Sequence, residues 1–480
     1  MNPDQQGKTK IVCTLGPSTM DVNVLVDLIH SGLDVVRLNF SHGTHEEHSK
    51  MLENVREAMR RTGVYVSLLQ DLQGPKIRVG EFAVPSIELR PGKRFTITTE
   101  PISGNGERVS TTYANLPHDV RPGESILLDD GKLRLRVVEV NGNDVVCDVV
   151  VGGKLSAHKG INLPGVAVSA PSMTPKDTLD MEFGLQQRVD FIALSFVRKA
   201  DDIRELRQAI VERTGKERSV EVIAKIEKPQ AVAAIDSIIT EADGIMIARG
   251  DLGVEMPPED VPMLQKMIIK KCNDAGKPVI IATQMLESMI NSPTPTRAEA
   301  SDVANAVLDG GDAVMLSGET SVGKYPLEAV QIMERIIRRV ESDRRGRPRR
   351  VEKLGGTVSD SHEALGQAAC ALAEQMKAAA IVAVTHSGQT ARVLSRFRPD
   401  PPIIAVTDSD KTFRRLNILW GVRGLVVERI DDDSDKALQK IQEMLLESGI
   451  VNKGEYVVLL AGQPFFARGS TNFIKVERVG

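Results

Sequence analysis

Eight short apolar runs constrain the fold of this chain more than any other feature of the sequence. Each follows a helical stretch and a Gly- or Asp-marked turn, at intervals of roughly 25 to 35 residues, the length of one strand-helix unit. Strands that are apolar on both faces are typical of a parallel sheet covered by helices. The pattern predicts an α/β protein built on a (β/α)8 barrel. The runs are KIVCT from Lys10, DVVRLNFS from Asp34, YVSLLQD from Tyr65, DFIALSF from Asp190, VEVIAKIE from Val220, GIMIARGD from Gly244, PVIIATQ from Pro278 and DAVMLSGE from Asp312.

The sequence changes character between Gly74 and Pro171, in the one long interval, between the third and fourth runs. Short alternating runs such as KRFTITT and LRLRVVEV are separated there by Pro-Gly and Asn-Gly turns. Such a pattern is typical of a small all-β domain. We therefore predict a small β-barrel inserted into the larger barrel, placed to act as a lid that excludes water from the mouth.

A third domain is predicted after the barrel, because five further strand-like runs alternate there with helical segments, as in an open α/β sheet. The arginine-rich stretch that precedes it is interpreted as a solvated linker, with nucleic acid or an acidic partner as the alternative. The predicted division is a first barrel segment over residues 1–73, the β lid over 74–171, a second barrel segment over 172–343, the linker over 344–357 and a C-terminal α/β regulatory domain over 358–480.

Composition excludes several classes of function. The 480 residues carry a net charge of −4 and only 3% aromatic residues, which disfavours nucleic acid and anionic membranes as partners. The four cysteines are scattered singly, as expected in a reducing compartment. No apolar run approaches the length of a membrane span, and the first ten residues lack the apolar core of a signal peptide. We predict a cytoplasmic location.

Polar residues follow the apolar runs, and in a (β/α)8 barrel the C-terminal ends of the strands form the active-site mouth. Lys225 and Glu227 are two positions apart, so their side chains project from the same side of one strand, and Asp251 follows the next strand. A lysine beside two carboxylates indicates a divalent-metal site suited to phosphoryl transfer or enolate chemistry. The residues expected at the mouth are Arg37, Asn39, Ser41, Asp71, Lys225, Glu227, Asp251, Thr283 and Glu319.

Six segments resemble the signature segments of the pyruvate kinase family, in the same order and over nearly the whole chain. They are VRLNFSHG, DLQGPKIR, AKIE, IMIARGDLG, IATQMLESM and MLSGETSVGKYP. The resemblance implies the last step of glycolysis, in which a phosphoryl group passes from phosphoenolpyruvate to ADP and gives pyruvate and ATP. It also implies Mg²⁺, for which Mn²⁺ can substitute, and a homotetramer.

Site residues are implied by the same resemblance, one by one. Glu227 and Asp251 match the ligands of Mg²⁺, Lys225 matches the lysine that stabilises the transition state, and Arg37 matches a phosphate clamp. The backbone amides of Arg249, Gly250 and Asp251 are expected to bind the substrate carboxylate.

The resemblance also implies residues for protonation and for the nucleotide. Thr283 matches the threonine near the methylene carbon of the substrate, and Ser317 and Glu319 match members of a polar relay; the final proton donor stays open. The positions matching nucleotide contacts are Asn39, His42, Arg78 and Lys159. The spacing of His42, His45 and His48 permits a metal site, but we favour solvated histidines at the start of a helix.

The chain departs from the family around the K⁺ site, which in many members corresponds to Asn39, Ser41, Asp71 and the backbone of Leu72. Members that need K⁺ usually carry Thr, Lys and Glu where this chain has Leu72, Gln73 and Lys76. The ammonium of Lys76 would lie near the place of the monovalent cation. We therefore predict that K⁺ is not required.

A turn in the C-terminal domain offers a phosphate cradle between a strand and a helix. It resembles the loop that binds a sugar-phosphate effector in regulated members, and RGSTN from Arg468 is predicted to supply a neighbouring loop. A sugar phosphate or AMP is the expected effector; an ordinary helix cap is the alternative. The turn comprises Thr385, His386, Ser387, Gly388, Gln389 and Thr390.

Two other functions compete with the kinase. A Mg²⁺-dependent lyase or aldolase acting on a 2-oxo acid would use the same barrel, metal and enolate chemistry, but it would not need a lid over a nucleotide. A catalytically silent regulatory protein would sense a sugar phosphate or nucleic acid, but it would not need Lys225, Glu227 and Asp251, all of which are present.

Overall fold

The computed structural model describes residues 7–166, 168–216, 218–343, 361–428, 434–462 and 471–480. The predicted linker 344–357 lies outside these residues. The first barrel strands are β1 (Lys10–Thr14), β2 (Leu33–Asn39) and β3 (Ser67–Asp71). The inserted strands are β4 (Ser86–Leu89), β5 (Arg94–Thr98), β6 (Arg108–Ser110), β7 (Ser125–Leu128), β8 (Leu133–Asn141), β9 (Asp144–Val151), β10 (Gly153–Ser156) and β11 (Ile161–Asn162). The remaining barrel strands are β12 (Phe191–Leu194), β13 (Glu221–Ile226), β14 (Gly244–Ala248), β15 (Val279–Ala282) and β16 (Ala313–Leu316). The C-terminal strands are β17 (Ala380–Val384), β18 (Ile403–Thr407), β19 (Val422–Val426), β20 (Tyr456–Ala461) and β21 (Phe473–Arg478).

Helices cover the barrel and both faces of the C-terminal sheet. They are α1 (Val22–His30), α2 (His45–Thr62), α3 (Leu116–Asp119), α4 (Pro175–Gln186), α5 (Ala200–Thr214), α6 (Pro229–Ala233), α7 (Ile235–Glu241), α8 (Arg249–Glu255), α9 (Val261–Asp274), α10 (Arg297–Asp309), α11 (Gly318–Ser321), α12 (Pro326–Asp343), α13 (Ser361–Gln375), α14 (Gln389–Phe397), α15 (Asp410–Leu416) and α16 (Ser434–Glu447). Short 3₁₀ helices span Pro17–Thr19 and Glu287–Ile290. None of the helices within the described ranges is long and apolar enough to cross a membrane.

The predicted (β/α)8 barrel is confirmed. Its eight parallel strands close in the order β1, β16, β15, β14, β13, β12, β3 and β2. Side chains alternate along each strand, so Met246 packs inside the barrel whereas Ile245 and Ile247 pack against the surrounding helices. Both faces are therefore apolar, which explains why the strands read as nearly continuous hydrophobic runs.

The inserted segment is predominantly β-structure, as predicted. Its strands form a six-stranded and a two-stranded sheet, and residues from both pack into one hydrophobic core that includes Phe95, Leu89 and Leu155. The segment also carries the short helix α3. It leaves the barrel after β3 and returns before α4, so it stands at the C-terminal end of the barrel strands.

The C-terminal domain is an open α/β sheet in the order β19, β18, β17, β20 and β21, with only β21 antiparallel to its neighbour. It packs against the N-terminal end of the barrel. Arg392 binds Glu221 at the start of β13 through two contacts of 2.6 and 2.7 Å, and Arg398 lies 2.8 Å from Asp312 just before β16. The mouth is at the opposite end of the barrel strands, next to the inserted domain.

Candidate active site

Four charged side chains meet at the mouth of the barrel. Arg37 on β2 donates to Asp71 at the end of β3, with 2.7 Å between Nε and Oδ2. Lys225 on β13 lies between two acids, 3.2 Å from Asp71 Oδ1 and 2.9 Å from Glu227 Oε1. All four side chains are nearly buried. Four of the nine residues predicted at the mouth therefore form one connected network.

Electrostatics favours the charged forms of Lys225 and Asp71. Burial by itself would lower the pKa of Lys225, but the Asp71 and Glu227 carboxylates outweigh burial and raise it. Burial by itself would raise the pKa of Asp71, but Lys225 and Arg37 outweigh burial and lower it. The mouth thus holds a fixed ammonium and a fixed guanidinium in a poorly solvated place, where they can stabilise anionic oxygens strongly.

Two hydroxyl groups that the sequence analysis did not single out complete the network. Ser195 accepts a hydrogen bond of 2.7 Å from Lys225 Nζ, and Thr14 accepts one of 2.8 Å from Arg37 Nη1. Thr14 ends β1 and Ser195 follows β12, so both occupy the same strand-end position as the residues that were predicted. Their position at the end of a strand was the feature of the sequence that could have identified Thr14 and Ser195 as site residues.

Glu227 and Asp251 form the candidate metal site. Glu227 Oε2 accepts the Phe196 amide at 2.8 Å, whereas the Asp251 carboxylate accepts no hydrogen bond within the described portion of the chain. Burial and the charge of Glu227 raise the pKa of Asp251 to about 6, against the opposing effect of Lys225. Two acids that repel each other in a buried place are a suitable site for a divalent cation. Residues 7–480, apart from the undescribed segments, contain no group of three or more His, Cys, Asp or Glu arranged for a metal.

Helix α8 begins at Arg249, directly after β14, as predicted for the carboxylate-binding amides. The Gly250 amide, however, donates to Thr283 Oγ1 at 2.7 Å, so it is already engaged. The Arg249 side chain donates to Asp302 at 2.7 Å and to the Thr283 carbonyl at 2.9 Å, which holds the loop after β15 in place. Thr283 and Gln284 have φ values of +68° and +56°, a region that non-glycine residues seldom adopt.

Ser317 and Glu319 follow β16, the strand next to β15 in the barrel. The Glu319 carboxylate accepts the Leu286 amide at 3.0 Å and the Ser317 amide at 2.7 Å. Burial raises its pKa. Glu319 therefore joins the loops after β15 and β16 and orients the segment that carries Thr283.

The inserted domain meets the barrel at a cleft beside Asp251. The cleft is lined from the domain side by Lys76, Asp130 and Asn162, and from the barrel side by Asp251, Lys228 and Arg198, among others. Asn162 donates to Glu255 at 3.0 Å, and Lys228 lies 2.5 Å from the same carboxylate. The hydrogen bond from Asn162 to Glu255 thus joins the two domains beside the candidate metal site.

The predicted nucleotide residues lie around this entrance. Arg78 and Gly160 form an antiparallel bridge, which brings Arg78 and Lys159 together at the two roots of the inserted domain. His42 is only partly shielded from solvent, and this shielding together with the charges of Arg78, Lys76 and Arg37 lowers its pKa. Asn39 Oδ1 accepts the Ser41 amide at 3.2 Å. His42 and Asn39 therefore lie on the same rim as these cations.

The interpretation of the three histidines as solvated is wrong for His48. His42 is exposed, but His48 is buried and stacks on Phe40 with ring centroids 4.1 Å apart. His45 binds Asp180 at 2.7 Å. Helix α2 turns this side toward α4, so His48 packs against the barrel, whereas 40% of the His45 side chain stays exposed.

The predicted effector turn lies between β17 and α14. Gly388 has a φ of +86° and donates its amide to Thr385 Oγ1 at 2.9 Å, while Thr390 Oγ1 lies 3.1 Å from Thr471 Oγ1. His386 Nδ1 is 2.6 Å from Asp408 Oδ1. Ser387 and Gln389 are the exposed members of the turn. Thr471 belongs to the predicted neighbouring loop, but Arg468 lies outside the described residues.

A barrel whose mouth combines fixed cations with an acid pair beside an inserted domain is typical of an enzyme that acts on anionic substrates. Comparison with known proteins agrees. The pyruvate kinase barrel-domain profile matches residues 6–330, and the pyruvate kinase alpha/beta-domain profile matches residues 363–477. The chain belongs to the pyruvate kinase family, whose members are phosphotransferases.

Individual relatives match along nearly the whole chain. A pyruvate kinase of Geobacillus stearothermophilus is 47% identical over 98% of this chain and 80% of its own length. Pyruvate kinases of Corynebacterium efficiens and Mycobacterium tuberculosis are 47% and 46% identical, each over 98% of both chains. A solved pyruvate kinase from Cryptosporidium parvum superposes with a TM-score of 0.93, at 40% identity, over 100% of this chain and 97% of that one. The lyase and the silent regulator are therefore set aside.

Proposed function

We propose that this chain transfers the phosphoryl group of phosphoenolpyruvate to ADP, with Mg²⁺, and then protonates the enolpyruvate to pyruvate. The observation that carries the proposal is the position of Lys225 between Asp71 and Glu227. Arg37 binds the same Asp71 carboxylate, so both cations face the mouth. Phosphoenolpyruvate brings a carboxylate, an enol oxygen and a phosphate to this place. A buried site with fixed cations is what such a substrate requires.

Arg37 and Lys225 have distinct tasks in this proposal. The planar guanidinium of Arg37 is oriented by Asp71 and Thr14, so its remaining N–H groups can hold two phosphate oxygens. The Lys225 ammonium is a compact charge that can follow the phosphoryl group and stabilise the enolate left behind. Its hydrogen bond to Ser195 fixes its direction.

Mg²⁺ fits the donors that the chain offers. Glu227 and Asp251 supply two carboxylates, and Mg²⁺ commonly takes one or two carboxylates from protein and its other oxygens from substrate and water. The raised pKa of Asp251 reflects burial and the repulsion that a cation would relieve. When bound, Mg²⁺ or Mn²⁺ would supply Lewis-acid stabilisation of the substrate oxygens.

Proton delivery and nucleotide binding use the rest of the mouth. Thr283, Ser317 and Glu319 are proposed to form the polar path to the methylene carbon, with Glu319 fixed by the Leu286 and Ser317 amides. Arg78 and Lys159, at the roots of the inserted domain, are proposed to hold the phosphates of ADP, with Asn39 and His42 on the same rim. Closure of the inserted domain would then exclude water.

The reaction is tested by pyruvate release from phosphoenolpyruvate with Mg²⁺, with and without ADP. We expect release to require both ADP and Mg²⁺. Pyruvate formed at the same rate without ADP would indicate hydrolysis, and no pyruvate from folded protein under either condition would contradict the proposal.

K⁺ independence is proposed to rest on Lys76. Its side chain lines the cleft beside Asp251, and its charge opposes the rise in the pKa of Asp251, so the ammonium acts on the mouth. The other residues of the region are engaged nearby: Asp71 binds Arg37 and Lys225, and the Leu72 carbonyl accepts Ser195 Oγ at 2.7 Å.

We expect the wild-type rate to be the same in Na⁺ and K⁺ buffers, and we expect Lys76→Glu to depend on K⁺, because the carboxylate would attract the ion that the ammonium replaces. Initial rates of pyruvate formation in K⁺-free buffer and with added KCl measure this. Full activity of Lys76→Glu without K⁺ would refute the role of Lys76.

Regulation by a phosphorylated effector is proposed for the turn Thr385 to Thr390, and a homotetramer is proposed to couple it to the mouth. We expect Ser387→Glu to abolish activation by sugar phosphate or AMP, because a carboxylate on the exposed lip of the turn would repel the phosphate. The half-saturating phosphoenolpyruvate concentration with and without each effector measures this, with Ser387→Ala as the neutral control. Unchanged activation of Ser387→Glu would favour the ordinary helix cap.

A further inference from the structure

A second cavity lies at the opposite end of the barrel from the mouth, where the C-terminal domain docks. It opens to solvent, has a volume of about 500 Å³ and is lined by residues of α2, the turn after α4, β3 and α15. Four of the lining residues are arginines, and no lining residue is acidic. The lining residues are Arg56, Met59, Arg60, Tyr65, Leu68, Gln186, Gln187, Arg188 and Arg414. We call it the Arg188 cavity.

Two of the four guanidinium groups lack a carboxylate partner. Arg60 binds Glu57 at 2.7 Å, and Arg414 Nε lies 3.3 Å from Asp190 Oδ1. Arg56, in contrast, donates to the side-chain and backbone oxygens of Gln187, both of which are neutral. Within the described ranges Arg188 has neither a hydrogen bond nor an ion pair from its side chain. The cavity therefore carries positive charge that the protein itself does not neutralise.

Arg188 also occupies a backbone position that normally takes glycine. It follows the end of α4 with a φ of +54°, and its amide donates to the Leu185 carbonyl at 3.1 Å, as in a left-handed helix cap. A side chain at this position costs conformational energy that glycine would avoid. Backbone strain at a charged residue in a cavity is consistent with a functional role.

We propose that the Arg188 cavity binds a small organic molecule that carries a phosphate group. Guanidinium groups bind phosphate through paired N–H donors, and Tyr65, Met59 and Leu68 offer an apolar surface for the rest of the ligand. The volume lies within the range typical of metabolite pockets. This site is separate from the turn Thr385 to Thr390, which supplies no lining residue.

The ligand would bridge two domains. Arg414 belongs to α15 of the C-terminal domain, whereas Arg56, Tyr65 and Arg188 belong to the barrel. The domains already touch beside the cavity, where Asn417 donates to the Tyr65 carbonyl at 2.8 Å. A bound phosphate would add charge-assisted contacts across the same interface and thereby favour one arrangement of the two domains.

Calorimetric titration of the full-length protein with AMP, glucose 6-phosphate and inorganic phosphate tests this proposal, with adenosine and glucose as uncharged controls. We expect at least one phosphorylated probe to bind and its Kd to rise at least about tenfold in the double variant Arg56→Gln, Arg188→Gln. The matched control is Arg339→Gln, since Arg339 is an exposed, ion-paired arginine of α12; its Kd should equal that of wild type. Absence of binding by all three probes up to about 10 mM would overturn the proposal.

Two further variants separate this site from the effector turn and from a loss of folding. Arg188→Gly should weaken binding while its melting temperature equals or exceeds that of wild type, because glycine adopts the left-handed conformation without strain. Binding lost in Ser387→Glu but unchanged in the double variant would assign the ligand to the effector turn and overturn the proposal.

Discussion

Replacing Lys225 with methionine should lower kcat by about 10³-fold or more, the largest effect expected for any residue of the mouth. Methionine keeps much of the length of the side chain but removes the only ammonium that contacts both Asp71 and Glu227 in the network. The charge that develops during phosphoryl transfer would then lose its nearest stabilising cation. Pyruvate formation at saturating phosphoenolpyruvate, ADP and Mg²⁺ measures the change.

Stability must be measured beside activity, because Lys225 is buried with its partners. Removing one member of a buried ion pair typically costs about 3–5 kcal/mol, although here Asp71 keeps its bond to Arg37. Lys271→Met is the matched control, since Lys271 forms an exposed pair with Asp236; exposed pairs contribute about 0–1 kcal/mol. A Lys225→Met protein that folds and retains kcat within about tenfold of wild type would contradict the assigned role.

The second large effect is expected at the candidate metal site. Asp251→Asn and Glu227→Gln keep the shape of each side chain but remove one negative charge. Mutating a residue that only supports a metal ligand typically lowers metal affinity by about 10–100-fold. Because these two residues are the proposed ligands themselves, the affinity for a divalent cation should fall by more than that. The Glu227→Gln amide oxygen can still accept the Phe196 amide, which preserves the local fold. A titration with Mn²⁺, monitored by electron paramagnetic resonance, measures the affinity directly.

Glu255→Gln provides the control for this experiment. Glu255 is also a buried carboxylate at the mouth, but it is neutralised by Lys228 at 2.5 Å and accepts Asn162, so it has no place in the cation site. Its Mn²⁺ affinity should stay near that of wild type. Equal Mn²⁺ affinity of Asp251→Asn, Glu227→Gln and wild type would place the metal elsewhere.

The barrel and the charged network at its mouth were predictable from sequence for a clear physical reason. Strands buried on both faces leave long apolar runs, and each run ends where the chain reaches the mouth. Lys225 and Glu227 were identified because polar residues have no structural reason to follow such runs. Thr14 and Ser195 carry the same signal in weaker form, because a hydroxyl at a strand end is also explained as an ordinary helix cap.

Other features depend on contacts that the sequence does not specify. Arg249 was considered only for its amide, but its side chain reaches Asp302 and the Thr283 carbonyl across two helix-strand units. The left-handed conformation of Thr283 carries no local sign, since no glycine or asparagine stands there. The Arg188 cavity combines residues from four separate segments. Which of its arginines have a carboxylate partner can be determined only once the fold is known.

The most direct test of the proposed function is to follow phosphorus itself. Phosphoenolpyruvate and ADP are incubated with the enzyme and Mg²⁺ in K⁺-free buffer, and ³¹P spectra are recorded over time. We expect the phosphoenolpyruvate signal to fall as the γ-phosphate signal of ATP rises in equal amount, and both changes to stop when EDTA removes Mg²⁺. Inorganic phosphate appearing in place of ATP, or an unchanged spectrum from folded protein with or without K⁺, would contradict phosphoryl transfer at this mouth.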